Sequence, residues 1–588
     1  MRRFVVGFFA VIGIIAVVGV LGLVGAGIVL LKHAATKPLP DSIVLTADLT
    51  GGLSDEPDAD ATSRLLFGEK ATLRDFVDAV DRAAADPRVK ALFVELGDDS
   101  LGLAKTQQVR DTIAAFRAKG KFALAYSDTF GEDGAGTRPY YLATACDQIW
   151  LQPMGEVGLT GLHSETPFLK GLLDKLGVVA DFEHREEFKT AANSLTETAM
   201  TAPQREEIEG LLSSVWAQIE QGVSSARNLP QDKIAAAVDR APLTAEEARA
   251  LGLITKIGYR DEALSEARSH APGDASAVTF TRYLKEAGRP NASGSQIALI
   301  YGTGLITRGG DSVSALATEH NFTPHAIGRA FAAASRNKDV RAIVFRIDSP
   351  GGSATASETI WRDVEEARKR GKPVIVSMGD VAASGGYYVA APADKIVAEP
   401  ATLTGSIGVL AGKIVVGGLM QKIGITTDSA ERGANAGMFS ATQDFTPQAR
   451  ARLDAELDET YAGFKSHVAA GRHMGADAVE AVAKGRVWSG ADAKARGLVD
   501  ALGGYETAFR LAREAAKLPE DAPIDVVVYP RARGLGALLL AHLHGDDDEA
   551  GASAVQRGLS ALRLLLAAGE AVFDDPHVLR MPPLGDIR

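Results

Sequence analysis

Short apolar runs alternate with longer segments of helical apolar spacing along most of the chain. Runs rich in β-branched and apolar residues predict strands at Gln296–Tyr301, Arg341–Ile347, Pro373–Ser377 and Lys395–Val397. Two of the intervening segments, Ile327–Ser335 and Glu358–Arg370, place apolar residues at helical spacing. Because strands alternate with helices, the pattern predicts an α/β fold built from βαβ units around parallel sheets.

The same order of segments occurs twice in the chain. The matching pairs are Asp86–Leu96 with Lys338–Ile347, Gly120–Ala125 with Gly371–Val376, Tyr140–Ile149 with Tyr387–Ile396, and Thr244–Gly258 with Ser489–Gly503. These collinear matches indicate an internal duplication with a period far longer than that of solenoid repeats. We therefore predict a first repeat at residues 45–280 and a second repeat at residues 295–530, joined by a polar linker at residues 281–294.

The N-terminus is predicted to cross a membrane. Residues 4–31 carry no charge, and this length spans the hydrocarbon core of a bilayer with some tilt, which favours a retained anchor over a cleaved leader. The basic residues before the span place residues 1–3 in the cytoplasm and all that follows, from a linker at residues 32–44 onward, on the other side. Residues 531–588 are predicted to form a tail that contains an amphipathic helix at residues 554–573.

Composition narrows the classes of function. The net charge of −12 over 588 residues, with no run of lysine and arginine, argues against nucleic acid as a partner. A single cysteine, Cys146, excludes a disulfide framework and a cysteine-rich metal site. Because no nucleotide-binding or metal-binding motif is present either, we expect no cofactor.

One serine stands out when the two repeats are laid on each other. Ser384 follows a predicted strand, and Gly385 and Gly386 come directly after it, where backbone N–H groups could hold an oxyanion. Aligned on the paired tyrosines, Ser384 falls opposite Thr137 of the first repeat, whose turn lacks both glycines. Gly351 and Gly352, in the turn between the predicted strand Arg341–Ile347 and the next helix, are further oxyanion candidates.

The first repeat has a complementary difference. When the repeats are aligned through Lys175–Gly177 and Lys422–Gly424, Arg185 falls on Arg432 and Lys189 falls opposite Ala436, so only the first repeat carries a lysine there. A lysine buried among apolar groups loses basicity and can act as a general base. We therefore hypothesise one active site made from Ser384 of the second repeat and Lys189 of the first.

Two alternatives remain open from the residues alone. Ser406 is a rival nucleophile, because the comparison of the repeats, which places it opposite Leu159, does not exclude it. A Ser/His/Asp triad is also possible, with His184 or His325 as the base.

Four segments of the chain together resemble the signal peptide peptidase A family, in its long, duplicated, membrane-anchored bacterial form. They are Asp348–Gly352, Ala382–Gly386, Leu403–Gly408 and Gly485–Gly490. The resemblance covers nearly the whole chain from the anchor to about residue 530. It implies two tandem domains with the spiral fold of Clp proteases and crotonases.

The resemblance also implies a function. By match of motif, Ser384 is the nucleophile, Lys189 is the general base and Ser406 helps to orient the lysine, while Gly351 and Gly352 lie near the oxyanion site. The expected enzyme is a homotetrameric serine endopeptidase that degrades remnant signal peptides and other apolar peptides. Its expected location is the bacterial cytoplasmic membrane, with a single anchor and the catalytic body on the periplasmic side.

Two other functions stay possible at this point. A crotonase-like enzyme would act on acyl-CoA on a similar fold, but the predicted topology places the body outside the cytoplasm, away from CoA. A catalytically inactive membrane scaffold would have no need of Ser384 and Lys189.

Overall fold

The protein is described by a computed structural model, which covers residues 38–57, 70–97, 100–132, 134–309 and 322–530 and the backbone of residues 577–580. The predicted anchor at residues 4–31 and the predicted helix at residues 554–573 lie outside the described residues. Among the described residues, none of the helices combines the length and the apolar character that crossing a bilayer would require.

The first repeat alternates strands and helices as predicted. Its strands are β1 (Ile43–Asp48), β2 (Val89–Leu96), β3 (Phe122–Ser127), β4 (Gln148–Leu151), β5 (Glu156–Val157), β6 (Val179–Arg185), β7 (Leu243–Thr244), β8 (Lys256–Ile257) and β9 (Ser276–Thr279). Its helices are α1 (Leu73–Ala85), α2 (Leu103–Ala118), α3 (Thr137–Ala143), α4 (Lys170–Leu176), α5 (Asn193–Thr196), α6 (Ala202–Arg227), α7 (Gln231–Val238), α8 (Ala245–Ala250), α9 (Arg260–Ser269) and α10 (Phe280–Ala287).

The second repeat follows the same plan. Its strands are β10 (Ser295–Thr303), β11 (Val340–Ser349), β12 (Gly351–Ser353), β13 (Val374–Ala383), β14 (Lys395–Ala398), β15 (Leu403–Gly405), β16 (Val409–Val415), β17 (Val487–Ser489), β18 (Ala501–Leu502) and β19 (Ile524–Tyr529), and the strand β20 (His577–Arg580) lies in the C-terminal tail. Its helices are α11 (Pro324–Arg336), α12 (Ala354–Lys369), α13 (Gly385–Ala390), α14 (Gly417–Lys422), α15 (Pro447–Arg472), α16 (Ala476–Val482), α17 (Gly490–Ala495) and α18 (Tyr505–Ala515). The four strands and two helices predicted here from periodicity are confirmed, each with extended or slightly shifted ends.

The two repeats contain the same parallel sheet. The strand order is β8-β4-β3-β2-β1-β9 in the first repeat, and the equivalent path in the second repeat is β18-β14-β13-β11-β10-β19. All of these pairings are parallel, as βαβ units require. The structure therefore confirms the α/β fold and the internal duplication.

Individual side-chain contacts are duplicated together with the sheets. The Tyr140 hydroxyl donates to the Leu253 carbonyl in the first repeat, and Tyr387 donates in the same way to the Leu498 carbonyl in the second. Both tyrosines are fully buried, and each connects the helix after the third core strand to the loop before β8 in the first repeat or β18 in the second. These bonds satisfy carbonyl groups that would otherwise be buried without a partner.

The repeats are joined by a small antiparallel sheet. Strand β6 of the first repeat pairs with β16 of the second from Arg185 opposite Val409 to Val179 opposite Val415. The chain leaves β6 towards Lys189, and it enters β16 just after Ser406. This pairing therefore brings the lysine segment of one repeat to the serine segments of the other.

The predicted linker at residues 281–294 begins inside a helix. Helix α10 continues to Ala287, because Tyr283 and Leu284 are buried against the first repeat. Arg289, farther along, forms ion pairs with Asp75 and Asp78 of α1. The helical part of the segment and Arg289 thus pack on the first repeat, whereas the carbonyl of Asn291 accepts from the Val526 N–H of the second.

The duplicated tyrosine bonds predict matched stability effects. We expect Tyr140→Phe and Tyr387→Phe each to cost about 1–3 kcal/mol of unfolding free energy, because each leaves a buried carbonyl without its donor. Thermal unfolding followed by circular dichroism measures the loss, with Tyr259→Phe as a control because Tyr259 is exposed. A midpoint unchanged in both buried variants would contradict the assignment of these bonds.

Candidate active site

Ser384 lies at a sharp turn between a strand and a helix. Strand β13 ends at Ala383, and α13 begins at Gly385, so Ser384 is the residue before the first turn of the helix. Its φ of 55° is uncommon for a residue with a side chain, and its N–H donates to the Gly405 carbonyl at 2.8 Å. Such a conformation persists only where the surroundings fix it, and it is typical of functional sites.

Lys189 reaches Ser384 from the other repeat. The Lys189 side chain is fully buried, and its Nζ lies 2.8 Å from Ser384 Oγ. The same Nζ lies 2.9 Å from Ser406 Oγ and 3.0 Å from the Ser406 carbonyl oxygen. The structure thus brings together three of the residues that the sequence singles out, although they are far apart along the chain.

The burial of Lys189 favours an uncharged amine. Its three oxygen contacts fit an ammonium group with three N–H donors, and they equally fit a neutral amine with two N–H donors and one lone pair. Burial lowers the pKa of Lys189 to about 7, while the Glu207 carboxylate opposes this shift. With two N–H groups donated to Ser406, the lone pair of the neutral amine is left for the hydroxyl proton of Ser384.

Glu207 is part of this surrounding, and sequence reasoning did not find it. Its side chain, on α6, is buried, and its Oε2 accepts from the Val487 N–H at 2.8 Å. Burial raises the pKa of Glu207 to about 8, so this carboxyl is mostly protonated, and therefore uncharged, at pH 7. No sequence pattern indicates a role for Glu207, because charged residues of this kind are common in the first turns of an exposed helix and several others surround it.

Ser406 also contacts Lys189, and it directly follows Gly405, whose carbonyl accepts from the Ser384 N–H. It connects β15 to β16 with a φ of 50°, and its N–H donates to the Arg486 carbonyl at 2.7 Å. Both serine hydroxyls contact Lys189, so distance to the amine does not separate them. What separates them is the surroundings, because only Ser384 directly precedes the glycines at the start of α13.

The glycine segments pack against each other beside Ser384. A Cβ added to Gly385 would lie 3.2 Å from the Gly352 nitrogen and 3.2 Å from the Gly351 Cα. The Gly351 N–H donates to Ser349 Oγ at 3.1 Å. Gly385 opens a helix, where the first N–H groups have no intrahelical acceptor. Of the candidate donors, Gly351 already donates its N–H to Ser349, whereas Gly385 is at the start of a helix and Gly352 lies beside it.

The histidine alternatives lie elsewhere. His184 is exposed on β6, where its Nδ1 contacts the Glu186 carbonyl, and His325 is exposed on α11. Among the described residues, the side-chain hydrogen bond of Ser384 is made with Lys189 and with neither histidine. Within the same part of the chain, no group of three or more His, Cys, Asp or Glu is arranged to hold a metal ion.

A groove beside the site accepts an extended chain. The backbone of β20 pairs antiparallel with β12, placing Leu579 opposite Gly352, and on its other edge it pairs antiparallel with β16. The tail strand therefore lies between the glycine segment and the strand that follows Ser406. A peptide in this position would gain main-chain hydrogen bonds on both sides.

Gly485 holds the backbone of Lys189 in place. Its φ of 81° is left-handed, and its N–H donates to the Ile407 carbonyl. A Cβ at this position would lie 2.5 Å from the Lys189 nitrogen and 2.7 Å from its Cα. The second repeat thus approaches the lysine of the first so closely that only glycine fits.

Comparisons with known proteins agree with the duplication. A family model described as Peptidase family S49 matches the chain twice, over residues 115–272 and 366–519. The Arabidopsis thaliana protein named "Serine protease SPPA, chloroplastic" is 31% identical over 497 residues, which are 83% of this chain and 71% of that protein. Protease 4 of Haemophilus influenzae is 31% identical over 515 residues, 82% of this chain and 80% of that protein.

A shorter relative matches part of the chain. A protein of Enterococcus faecium, named as a signal peptide peptidase SppA, is 33% identical over 189 residues. The match covers 32% of this chain and 55% of that protein.

The close approach of Gly485 predicts a selective loss of activity. We expect Gly485→Ala to lower kcat for peptide hydrolysis by about 10–100-fold, because small displacements of a reacting group cost this much. The matched control is Gly497→Ala, since Gly497 has a φ of 78° but no atom near its added Cβ. Steady-state kinetics on both variants separates the clash from the cost of the left-handed backbone. Equal losses in the two variants would contradict the account.

Proposed function

Since the chain belongs to peptidase family S49 and is a serine protease, we propose that its active site is a Ser–Lys dyad made by its two repeats. Ser384 is the nucleophile and Lys189 is the general base. The observation that carries the proposal is the 2.8 Å contact between Lys189 Nζ and Ser384 Oγ in a fully buried setting. An acyl-CoA enzyme or an inactive scaffold would not require this contact.

The acylation step follows from the contact. Neutral Lys189 takes the proton of Ser384 as Oγ attacks the carbonyl carbon of the scissile peptide bond. The resulting ammonium gives that proton to the leaving amine as the C–N bond breaks, which leaves an acyl ester on Ser384. Water, deprotonated by the neutral amine, then attacks the ester, and the proton returns to Ser384 as the acid product leaves.

The oxyanion is held by backbone donors. We assign this role to the N–H groups of Gly352 and Gly385, with α13 behind them, because the Gly351 N–H already donates to Ser349. Helix N-termini and preorganised N–H groups stabilise developing negative charge in a site without water. Ser406 accepts from Lys189 Nζ and thereby directs the lone pair of the amine at Ser384.

Apolar peptides, including remnant signal peptides, are the proposed substrates. The groove between β12 and β16 supports this choice, since the tail strand lies there as an added β-strand. The name of the Enterococcus faecium relative supports it further. The uncharged segment at residues 4–31 would deliver the body to substrates at the bilayer surface.

The proposal extends to location, assembly and fold type. We propose that the protein lies in the bacterial cytoplasmic membrane with its body on the periplasmic side, and that the chain, with its Clp protease/crotonase-like domains, forms a homotetramer.

Exposed apolar residues around α4 and α14 support assembly, because large apolar patches typically mark protein contacts. They are Leu169, Leu172, Leu176, Val179, Ile423 and Ile425.

Substitution of each dyad member tests the proposal. We expect Ser384→Ala and Lys189→Met each to reduce kcat on an apolar fluorogenic peptide by at least about 1,000-fold, because the nucleophile and its base act as a unit. Lys372→Met is the control, since Lys372 donates, within the described part of the chain, to main-chain carbonyls of Asn337 and Val340. Full activity in Lys189→Met, with thermal unfolding unchanged, would rule out the dyad.

The depressed basicity of Lys189 predicts the pH profile. Because only the neutral amine accepts a proton, kcat/KM should rise with pH, with a midpoint near the Lys189 pKa of about 7. Glu207→Gln should move this midpoint only slightly, and to lower pH, because the Glu207 carboxylate favours the charged amine but its pKa of about 8 leaves most of this carboxyl protonated at pH 7. A midpoint at the ordinary lysine value of about 10 would contradict a buried base.

A further inference from the structure

A partly buried group of charges joins the repeats behind the proposed active site. Lys105, on α2 of the first repeat, places its Nζ 2.9 Å from an Asp348 oxygen and 3.2 Å from an Asp380 oxygen, both of the second repeat. The same Nζ lies 2.9 Å from Asp55, which pairs in turn with the buried Arg346. None of these residues contacts Ser384 or Lys189, and the proposed mechanism does not use them.

Asp348 connects the glycine segment to the nucleophile strand. It stands near the end of β11, directly before the segment Ser349–Gly352. Its Oδ1 accepts from the Val381 N–H of β13 at 3.0 Å, and its Oδ2 faces Lys105. The carboxylate therefore fixes the start of the oxyanion segment against the strand that leads to Ser384.

Asp380 connects α2 of the first repeat to the same strand, β13. Asp380 lies on β13 four residues before Ser384, and its Oδ1 accepts from the Lys105 N–H in the first turn of α2 at 3.1 Å. A carboxylate at a helix N-terminus is stabilised by the unpaired N–H groups there. The helix begins after Gly102, where a Cβ would lie 2.1 Å from the Asp380 carboxylate. The absence of a side chain at Gly102 thus allows Asp380 to cap α2 from the other repeat.

We propose that Lys105 is a positioning residue for the Ser–Lys reaction. Its single ammonium group holds Asp348 and Asp380 together, and so fixes the oxyanion segment relative to the strand that ends at Ser384. The inference rests on the proposed function of that site. The first repeat then contributes two lysines to catalysis, with Lys189 as the base and Lys105 as the group that aligns nucleophile and oxyanion donors.

The charge balance explains why a cation is needed at this place. Three carboxylates, of Asp55, Asp348 and Asp380, face two cations, Lys105 and Arg346. Burial and the neighbouring carboxylates raise the pKa of Asp348 to about 7, and Lys105 opposes the rise. Loss of Lys105 would leave the carboxylates to repel each other or to take up protons, and either change releases the contact between the segments.

Lys105→Met removes the charge and keeps the length of the side chain. We expect kcat to fall by about 10–100-fold while KM changes by less than about threefold, because alignment affects the transition state more than substrate binding. Lys105→Arg, which keeps the charge, should recover at least about a third of the lost activity on a logarithmic scale. The control is Lys121→Met: Lys121 is a partly buried lysine of the same repeat that donates to main-chain carbonyls far from the site.

A second measurement separates positioning from a general loss of stability. A peptide aldehyde adds the Ser384 hydroxyl across its carbonyl and forms a hemiacetal, whose oxygen occupies the oxyanion site. We expect its inhibition constant in Lys105→Met to weaken by the same factor as kcat/KM. Lys121→Met should lower the thermal midpoint but leave both the aldehyde constant and kcat unchanged.

The outcomes distinguish this inference from the proposed function. If the wild-type enzyme is active, Ser384→Ala is inactive and Lys105→Met keeps kcat within about twofold, the positioning role is wrong while the dyad stands. If Ser384→Ala retains activity, the proposed function itself fails. If Lys105→Met does not fold, Asp380→Asn replaces it, and an unchanged kcat and aldehyde constant there would overturn the inference.

Discussion

The burial of Lys189 is the constraint on which the rest of the site depends. An ammonium group taken out of water without a nearby counter-charge is costly, so this lysine favours its neutral form. In that form it offers the lone pair that Ser384 needs. Three features keep the amine buried and in place. They are the β6–β16 sheet, the close approach of Gly485 and the two acceptors of Ser406.

The duplication explains why the site lies between repeats. The second repeat keeps the glycine turn at Ser384, but its counterpart of Lys189 is Ala436, which lies in an exposed loop. The first repeat keeps the lysine, but its counterpart of Ser384 is Thr137, whose hydroxyl donates to the Gly161 carbonyl. Each repeat therefore lacks the group that the other supplies. Contacts such as Lys105 with Asp348 add a second tie between the repeats behind the same site.

Much of this arrangement could be predicted from the sequence, because the chain contains its own comparison. The parallel strands followed from the alternation of apolar runs and helical segments, and the duplication followed from collinear matches between the two halves. The pairing of Ser384 with Lys189 followed from the differences between the two copies. Glu207 and Lys105 could not be found in this way. Their roles depend on which side chains meet across the repeats, and no spacing rule encodes such contacts. The engagement of the Gly351 N–H with Ser349 likewise depends on a local turn that only the coordinates give.

The most direct test replaces the base by a weaker one at the same position. Lys189→Cys followed by aminoethylation gives a side chain of nearly the same length whose amine has a lower intrinsic pKa than that of lysine. The account predicts that activity returns on aminoethylation and that the rise of kcat/KM with pH moves to lower pH than in the wild type. Recovered activity with an unmoved midpoint would contradict it, because a group other than the residue 189 amine would then control the reaction.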